Sequence, residues 1–104
     1  MNKKDFQTIS TELLTLASGI MASKGPEYTV ANEDVLNNFK STAKKLGVDP
    51  LVIWYAYFDK QISSVAAHVS NHDLNKAEPM ETRFADIINY AQLGYALFKD
   101  RDRL

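Results

Sequence analysis

The sequence predicts an all-α fold, a single four-helix bundle-like domain spanning residues 1–104, and three observations carry that expectation. Apolar residues recur at alternating spacings of three and four along four separate stretches. Glycine and proline punctuate the chain between those stretches, as Lys24-Gly25-Pro26, Gly47, Pro50 and Pro79. Strand patterning is nearly absent: only Tyr28-Thr29-Val30 is β-prone, and it is too short to build a sheet.

The first helix is expected over Asp5 to Ser23, with Phe6, Ile9, Leu13, Leu16 and Ile20 on one face. Lys24-Gly25-Pro26 should stop it, because glycine takes a left-handed cap and proline cannot continue the helix. The second is expected from Asn32, whose side chain can cap free amides, to Gly47. Its inner face is Val35, Leu36, Phe39, Ala43 and Leu46, and Lys40, Lys44 and Lys45 read as a solvated face.

Asp49-Pro50 opens the third helix, with Asp as N-cap and Pro where its missing N–H matters least. Its core stripe is Leu51, Tyr55, Phe58, Ile62, Val65 and Val69. The fourth begins near Pro79, with Phe84, Ile88, Ala91, Tyr95 and Phe98 inward. Thr82, Ala85, Asn89, Gln92, Ala96 and Lys99 read as its water face, and the charged tail KDRDRL is expected to fray.

Two outer faces are unusual. On the third helix, the side carrying Val52, Ile53, Ala56, Tyr57, Lys60, Ser63, Ser64 and Ala67 is short of charge. On the first, Thr8, Thr11, Thr15, Ser18, Gly19 and Ala22 are joined only by Glu12. Small, weakly polar faces admit another helix, and the simplest partner is a second copy of the chain, giving a homo-oligomer. The alternative is that solvent tolerates them, since protein surfaces carry much apolar area.

Composition narrows the function. A hydrophobic fraction of 45% and a charged fraction of 24% are those of an ordinary globular chain. Twelve basic against thirteen acidic side chains, net −1, give no electrostatic footprint for duplex nucleic acid. The absence of cysteine excludes disulfides and thiolate metal sites. No stretch approaches a membrane span, and MNKKDFQTISTELL lacks the apolar run of a signal peptide, so a cytoplasmic location is expected, without a membrane partner.

Arg83 and Asp86 stand out. On a helical wheel they share an arc with Ile87, Tyr90, Leu93, Gly94 and Leu97, opposite the expected water face. A charge there must be paired or must bind something charged. One account is an internal Arg83–Asp86 ion pair. The other is a ligand site, joined by Lys60 on the third helix, Glu78 and Glu81 at the start of the fourth, and the loop residues Lys24, Glu27 and Tyr28. Lys and Arg suit phosphate, Tyr suits base stacking, and carboxylates suit ribose hydroxyls or Mg²⁺. The macrodipole explains both glutamates without a ligand. No Gly-rich phosphate loop is present. His68 and His72 have helical ligand spacing but lack a convincing third ligand, and no serine stands in a nucleophile-elbow context.

The pattern KGPEY, VLNNFK, YFDKQISSV and EPMETRFADIINYAQL resembles small phage and prophage proteins grouped with the nucleotide modification associated domain family, over about Phe6 to Leu97. The resemblance implies a phage setting, the host cytoplasm and a nucleotide-like ligand. It raises Lys24, Glu27, Tyr28, Asn38, Lys60, Glu78, Arg83, Asp86 and Asn89 together as ligand-binding candidates. A more distant likeness is to the all-α, MazG-like nucleotide pyrophosphohydrolases, whose Glu-x-x-Glu and later Glu-x-x-Asp hold Mg²⁺. Glu78-x-x-Glu81 matches one half, but position 89 in Asp86-x-x-Asn89 is an amide, which counts against a two-metal site.

The leading expectation is an oligomeric nucleotide-binding protein without strong catalysis, suited to sequestering a nucleotide signal of host defence, and needing no cofactor. The alternatives are a Mg²⁺-dependent nucleotide hydrolase, with Glu78, Glu81 and Asp86 as the metal candidates, and a protein-interaction or inhibitor module.

Overall fold

A computed structural model of the chain describes residues 1–29, 34–70 and 79–102, the side chains of 24–29 and 102 excepted. Local chemistry sets the ends of its helices. Asn2 caps α1 (Lys3–Thr29), its Oδ1 accepting the Asp5 N–H at 2.7 Å. The expected stop at Lys24-Gly25-Pro26 does not hold, and the helix runs through it. Proline removes one helical hydrogen bond and crowds another carbonyl, a penalty of about 3 kcal/mol and not a prohibition.

For α2 (Asn37–Leu46) the expected cap, Asn32, lies outside the described residues, and Asp34 organises the start. Its Oδ1 accepts the Leu36 N–H at 2.9 Å and its carbonyl accepts the Asn37 N–H at 3.0 Å. Gly47 ends α2 at φ 68, a left-handed conformation that favours a residue without Cβ. Asp49 then caps α3 (Pro50–Ser70), accepting the Leu51 N–H at 2.8 Å. Helix α4 (Met80–Asp102) follows Pro79, and the expected fraying of KDRDRL is not seen as far as Asp102.

The helices assemble around α4. The Gly47 turn folds α2 back along α3, with the Phe39 ring edge-on to Tyr57 at 6.2 Å between centroids. Helices α3 and α4 run antiparallel: Trp54 Nε1 donates to the Tyr90 carbonyl at 2.6 Å, and Arg101 Nη1 stands 3.9 Å from Asp49 Oδ2. On the other side, Asn89 Nδ2 donates to the Ala17 carbonyl of α1 at 2.9 Å. Among the described residues α1 packs on α4 and lightly on α2, and lies across the bundle from α3. The helices close into a four-helix bundle-like ring, α1 to α4 to α3 to α2 and lightly back to α1, with α2 diagonal to α4 and reaching it through the side chains of Leu36, Phe39 and Lys40. Leu36, Phe39 and Leu97 form the buried centre, ringed by Leu51, Trp54, Tyr90 and Leu93.

This order overturns several expected faces. Ala85 and Asn89, assigned to water, are buried. Phe84, Ala91, Tyr95 and Phe98, assigned to the core, are exposed. The physical reason is that α4 has helices on two sides. Its tight contacts use small or amide side chains that permit close approach, and a hydropathy wheel scores those as solvent-facing. Phe6 and Ile9 of α1, Val35 just before α2, Leu46 of α2, and Tyr55, Ile62 and Val69 of α3 are likewise exposed. Within each of these helices the buried stripe is displaced or shorter than expected.

Lys40 is a further correction. It does not stand in solvent but bridges Asp34 Oδ2 at 2.5 Å and Asp100 Oδ2 at 2.8 Å, tying α2 to the end of α4. Hydrogen bonds donated to Asp100 and Asp34 hold the Lys40 ammonium above its ordinary pKa. The Lys40 hydrogen bond, set against desolvation and helped by the Leu36 amide, holds the Asp34 carboxyl below the usual carboxylate range.

Two outcomes follow. Gly94 is buried, and a Cβ built on it would overlap Cζ2 and Cε2 of Trp54. Gly94→Ala should therefore destabilise the chain by about 1–3 kcal/mol through overpacking, despite alanine's helical advantage of about 1 kcal/mol. Urea unfolding measures the sign. Because Asp34 is depressed in the folded state, its contribution is present above roughly pH 4, the ordinary aspartate value, and is lost as pH falls through the lower folded value. Lys40 is raised, so its contribution is present below its ordinary pKa near roughly pH 10 and is lost as pH rises through the higher folded value. Lys40→Met should flatten both limbs of a stability–pH curve.

Candidate functional site

Helix α4 presents Arg83, Asp86, Tyr90, Leu93 and Leu97 at spacings of three and four, so they form one seam. This seam faces the cleft between α2 and α3, because Tyr90, Leu93 and Leu97 belong to the packing shared with Leu36, Phe39 and Trp54. Arg83 and Asp86 continue it toward the start of α4. The two charges that the helical wheel sets off the water face lie on a packed seam. Arg83 is only 7% exposed and Asp86 is half-buried, and neither is without an interaction partner.

The middle of the cleft is aromatic. The Tyr57 and Tyr90 rings are parallel within 1°, with centroids 6.2 Å apart, and Phe39 meets Tyr57 edge-on. Beside them lies a cavity of about 290 Å³, walled by Phe39, Tyr57, Tyr90 and Leu93 and edged by the polar groups of Asn38, Ser41 and Thr42. Its size sits at the lower end of small-molecule sites, and its chemistry is of the usual kind, apolar walls with a few polar groups at the rim. The flat rings offer π faces, and the rim offers an amide and two hydroxyls, each able to donate and accept.

The other candidates divide. Asn38 lines this cavity. Lys60 is exposed, three residues beyond Tyr57 on α3, and so flanks the cleft on that helix. Asn89 belongs elsewhere. It is 6% exposed, faces α1, and its amide nitrogen is committed to the Ala17 carbonyl. Its Oδ1 is buried without a hydrogen-bond partner beside a second groove of about 300 Å³ between α1 and α4. Glu78 and His72 lie outside the described residues, as do the side chains of Lys24, Glu27 and Tyr28.

The metal candidates do not share a face as far as they are described. Glu81 is exposed, and at about 100° per residue it lies roughly 140° round the helix from Asp86. Among the described residues no three ligating side chains group together. His68 Nδ1 lies 3.1 Å from the Ser64 carbonyl of its own helix, one turn back. Among the described residues no helix is long and apolar enough to cross a membrane.

Sequence reasoning missed Ser41, Thr42, Tyr57 and Tyr90 as cleft residues. Tyr57 belongs to the α3 face expected to meet a second copy, whereas α2 of the same chain covers part of that face. The available signal was the short Gly47 turn, which forces α2 back onto α3 and brings Phe39 opposite Tyr57. The chain matches no known family, no curated protein and no solved structure. A functional reading therefore rests on the chemistry of this cleft.

Proposed function

We propose that the protein binds a nucleotide-like small molecule in the α2–α3–α4 cleft, as a binding protein and not as a strong catalyst. The observation that carries the reading is the aromatic cavity continued along α4 by charge. Asn38, Ser41, Thr42, Tyr57 and Tyr90 surround a space suited to a flat heteroaromatic ring. Arg83 stands seven residues from Tyr90 on the same seam, roughly 10 Å along the axis at about 1.5 Å per residue. A ligand with a base at one end and phosphate toward the other matches that order of groups, with Lys60 on the opposite wall as a second cation. Arg recognises phosphate through a fork of donors, and hydroxyl and amide groups read the edges of a base.

Binding without turnover is favoured by the placement of Glu81 away from Asp86 on α4, since paired metals need carboxylates that converge. The wider role consistent with the resemblance is sequestering a nucleotide signal of host defence in a phage setting, by an assembly of copies.

A thermal-shift series with mono-, di- and cyclic nucleotides, with and without Mg²⁺, tests the reading. A ligand at a hundred times its Kd adds about 2.7 kcal/mol, which raises Tm by about 10 °C or more in a domain of this size. Asn38→Ala and Thr42→Val, at half-exposed or exposed rim positions, should leave the unliganded Tm within about 2 °C and remove most of the shift. Ligand recovered intact after incubation supports binding; Mg²⁺-dependent cleavage would replace this reading with the hydrolase. No shift with any nucleotide would leave the interaction module standing.

A further inference from the structure

The side of the α3–α4 pair opposite α2 is apolar and largely exposed among the described residues, with Arg101 standing over the Phe98 ring at its end, 5.1 Å from the centroid. Helix α4 presents Phe84, Ile88, Ala91, Tyr95 and Phe98 there, and among them only Ile88 is half-buried. Tyr55 and Ile62 of α3 lie alongside, on the flank of α3 away from Tyr57. Exposure of the large exposed side chains of this face runs from 41% at Phe84 to 65% at Tyr95. With aromatic side chains offering roughly 150–250 Å² each, the face presents on the order of 600 Å² of mainly apolar surface. That is at the upper limit for a monomer's largest patch, and approaches the roughly 800 Å² per partner of a standard interface. The chain's own core is correspondingly thin: among the described residues, no large side chain is fully buried.

The pattern of the face selects its occupant. The α4 seam reads nearly the same in both directions about Ala91, with a phenylalanine seven residues before it and another seven after. Glu81 and Lys99 are exposed, eighteen residues apart, which is about five turns, so they stand on one flank of the seam. Turn a second copy about a two-fold axis through Ala91, and Phe84 meets Phe98 of the second copy while Glu81 comes beside its Lys99. The smallest side chain of the seam falls on the axis, where two helices approach most closely. A two-fold contact must be self-complementary in shape and sign, and this one is. Lys99 already leans across the seam's edge, its Nζ 5.7 Å from the Tyr95 ring centroid.

We infer that the α3–α4 face opposite α2 is a homodimer interface, with two α4 helices antiparallel about Ala91. This deepens the assembly part of the functional reading and gives it an interface different from the small-residue faces of α1 and α3. The cleft lies on the other side of the pair, so dimerisation leaves it open.

The chain has no cysteine, which makes single-cysteine variants clean probes. Light scattering should give a dimer mass at micromolar concentration. Ala91→Cys should form a covalent dimer under mild oxidation at least tenfold faster than Lys45→Cys, an exposed control on α2. Lys99→Glu should weaken the dimer about tenfold, and Glu81→Lys added to it should restore most of the loss. A monomer mass at all concentrations overturns the inference. So does cross-linking of Ala91→Cys no faster than the control, or a double charge reversal no better than the single. None of these readouts involves nucleotide, so ligand binding and dimerisation fail separately.

Discussion

Helix α4 is hemmed in by helices on two sides, and the remainder of the fold follows from how closely they approach. On one side the Trp54 indole lies against Gly94 so tightly that a methyl group would not fit, while its N–H reaches the Tyr90 carbonyl. On the other side Ala85 is fully buried and Asn89 donates to the backbone of α1. Both contacts need small or hydrogen-bonding residues on α4, because large side chains would hold the neighbours apart. Once Gly94, Ala85 and Asn89 are committed in this way, the rotation of α4 is fixed.

That rotation distributes the remaining chemistry. It turns Arg83, Asp86, Tyr90 and Leu93 toward the cleft under α2, and turns Phe84, Ala91, Tyr95 and Phe98 outward on the opposite side. A shift of one residue, about 100°, would bring the aromatic rings to the place where the charges now lie. The Lys40 bridge to Asp34 and Asp100 holds α2 over the cleft side. Cleft and open face are thus two consequences of one packing decision, the first being the proposed ligand site and the second the proposed dimer face.

The helices and most of their ends were legible in the sequence, because caps are local chemistry. Asp49-Pro50 and Gly47 act as read, and Pro79 stands just before α4. The faces of α4 were not legible in the same way. Periodicity finds large apolar residues, yet this helix buries an alanine, an asparagine, a glycine and an arginine while exposing three aromatic rings. Lys40 was misplaced for a related reason, since its partner Asp100 is sixty residues away and sequence spacing says nothing of such a pair. Arg83 and Asp86 do lie off the water face, as their places on the wheel predict. What Tyr57 and Tyr90 add to them became visible only when the Gly47 turn had placed α2.

The central claim is that α4 is the fixed element on which α1 and α3 are packed. Native-state hydrogen exchange measured residue by residue tests it most directly. The account predicts that amides of α4 from about Ala85 to Leu97 exchange slowest, close to the rate set by global unfolding, and that α1 from Lys3 to Ile9, where every residue is exposed, exchanges fastest among the helices. Protection in the middle of α4 no greater than in those first turns of α1 would contradict it.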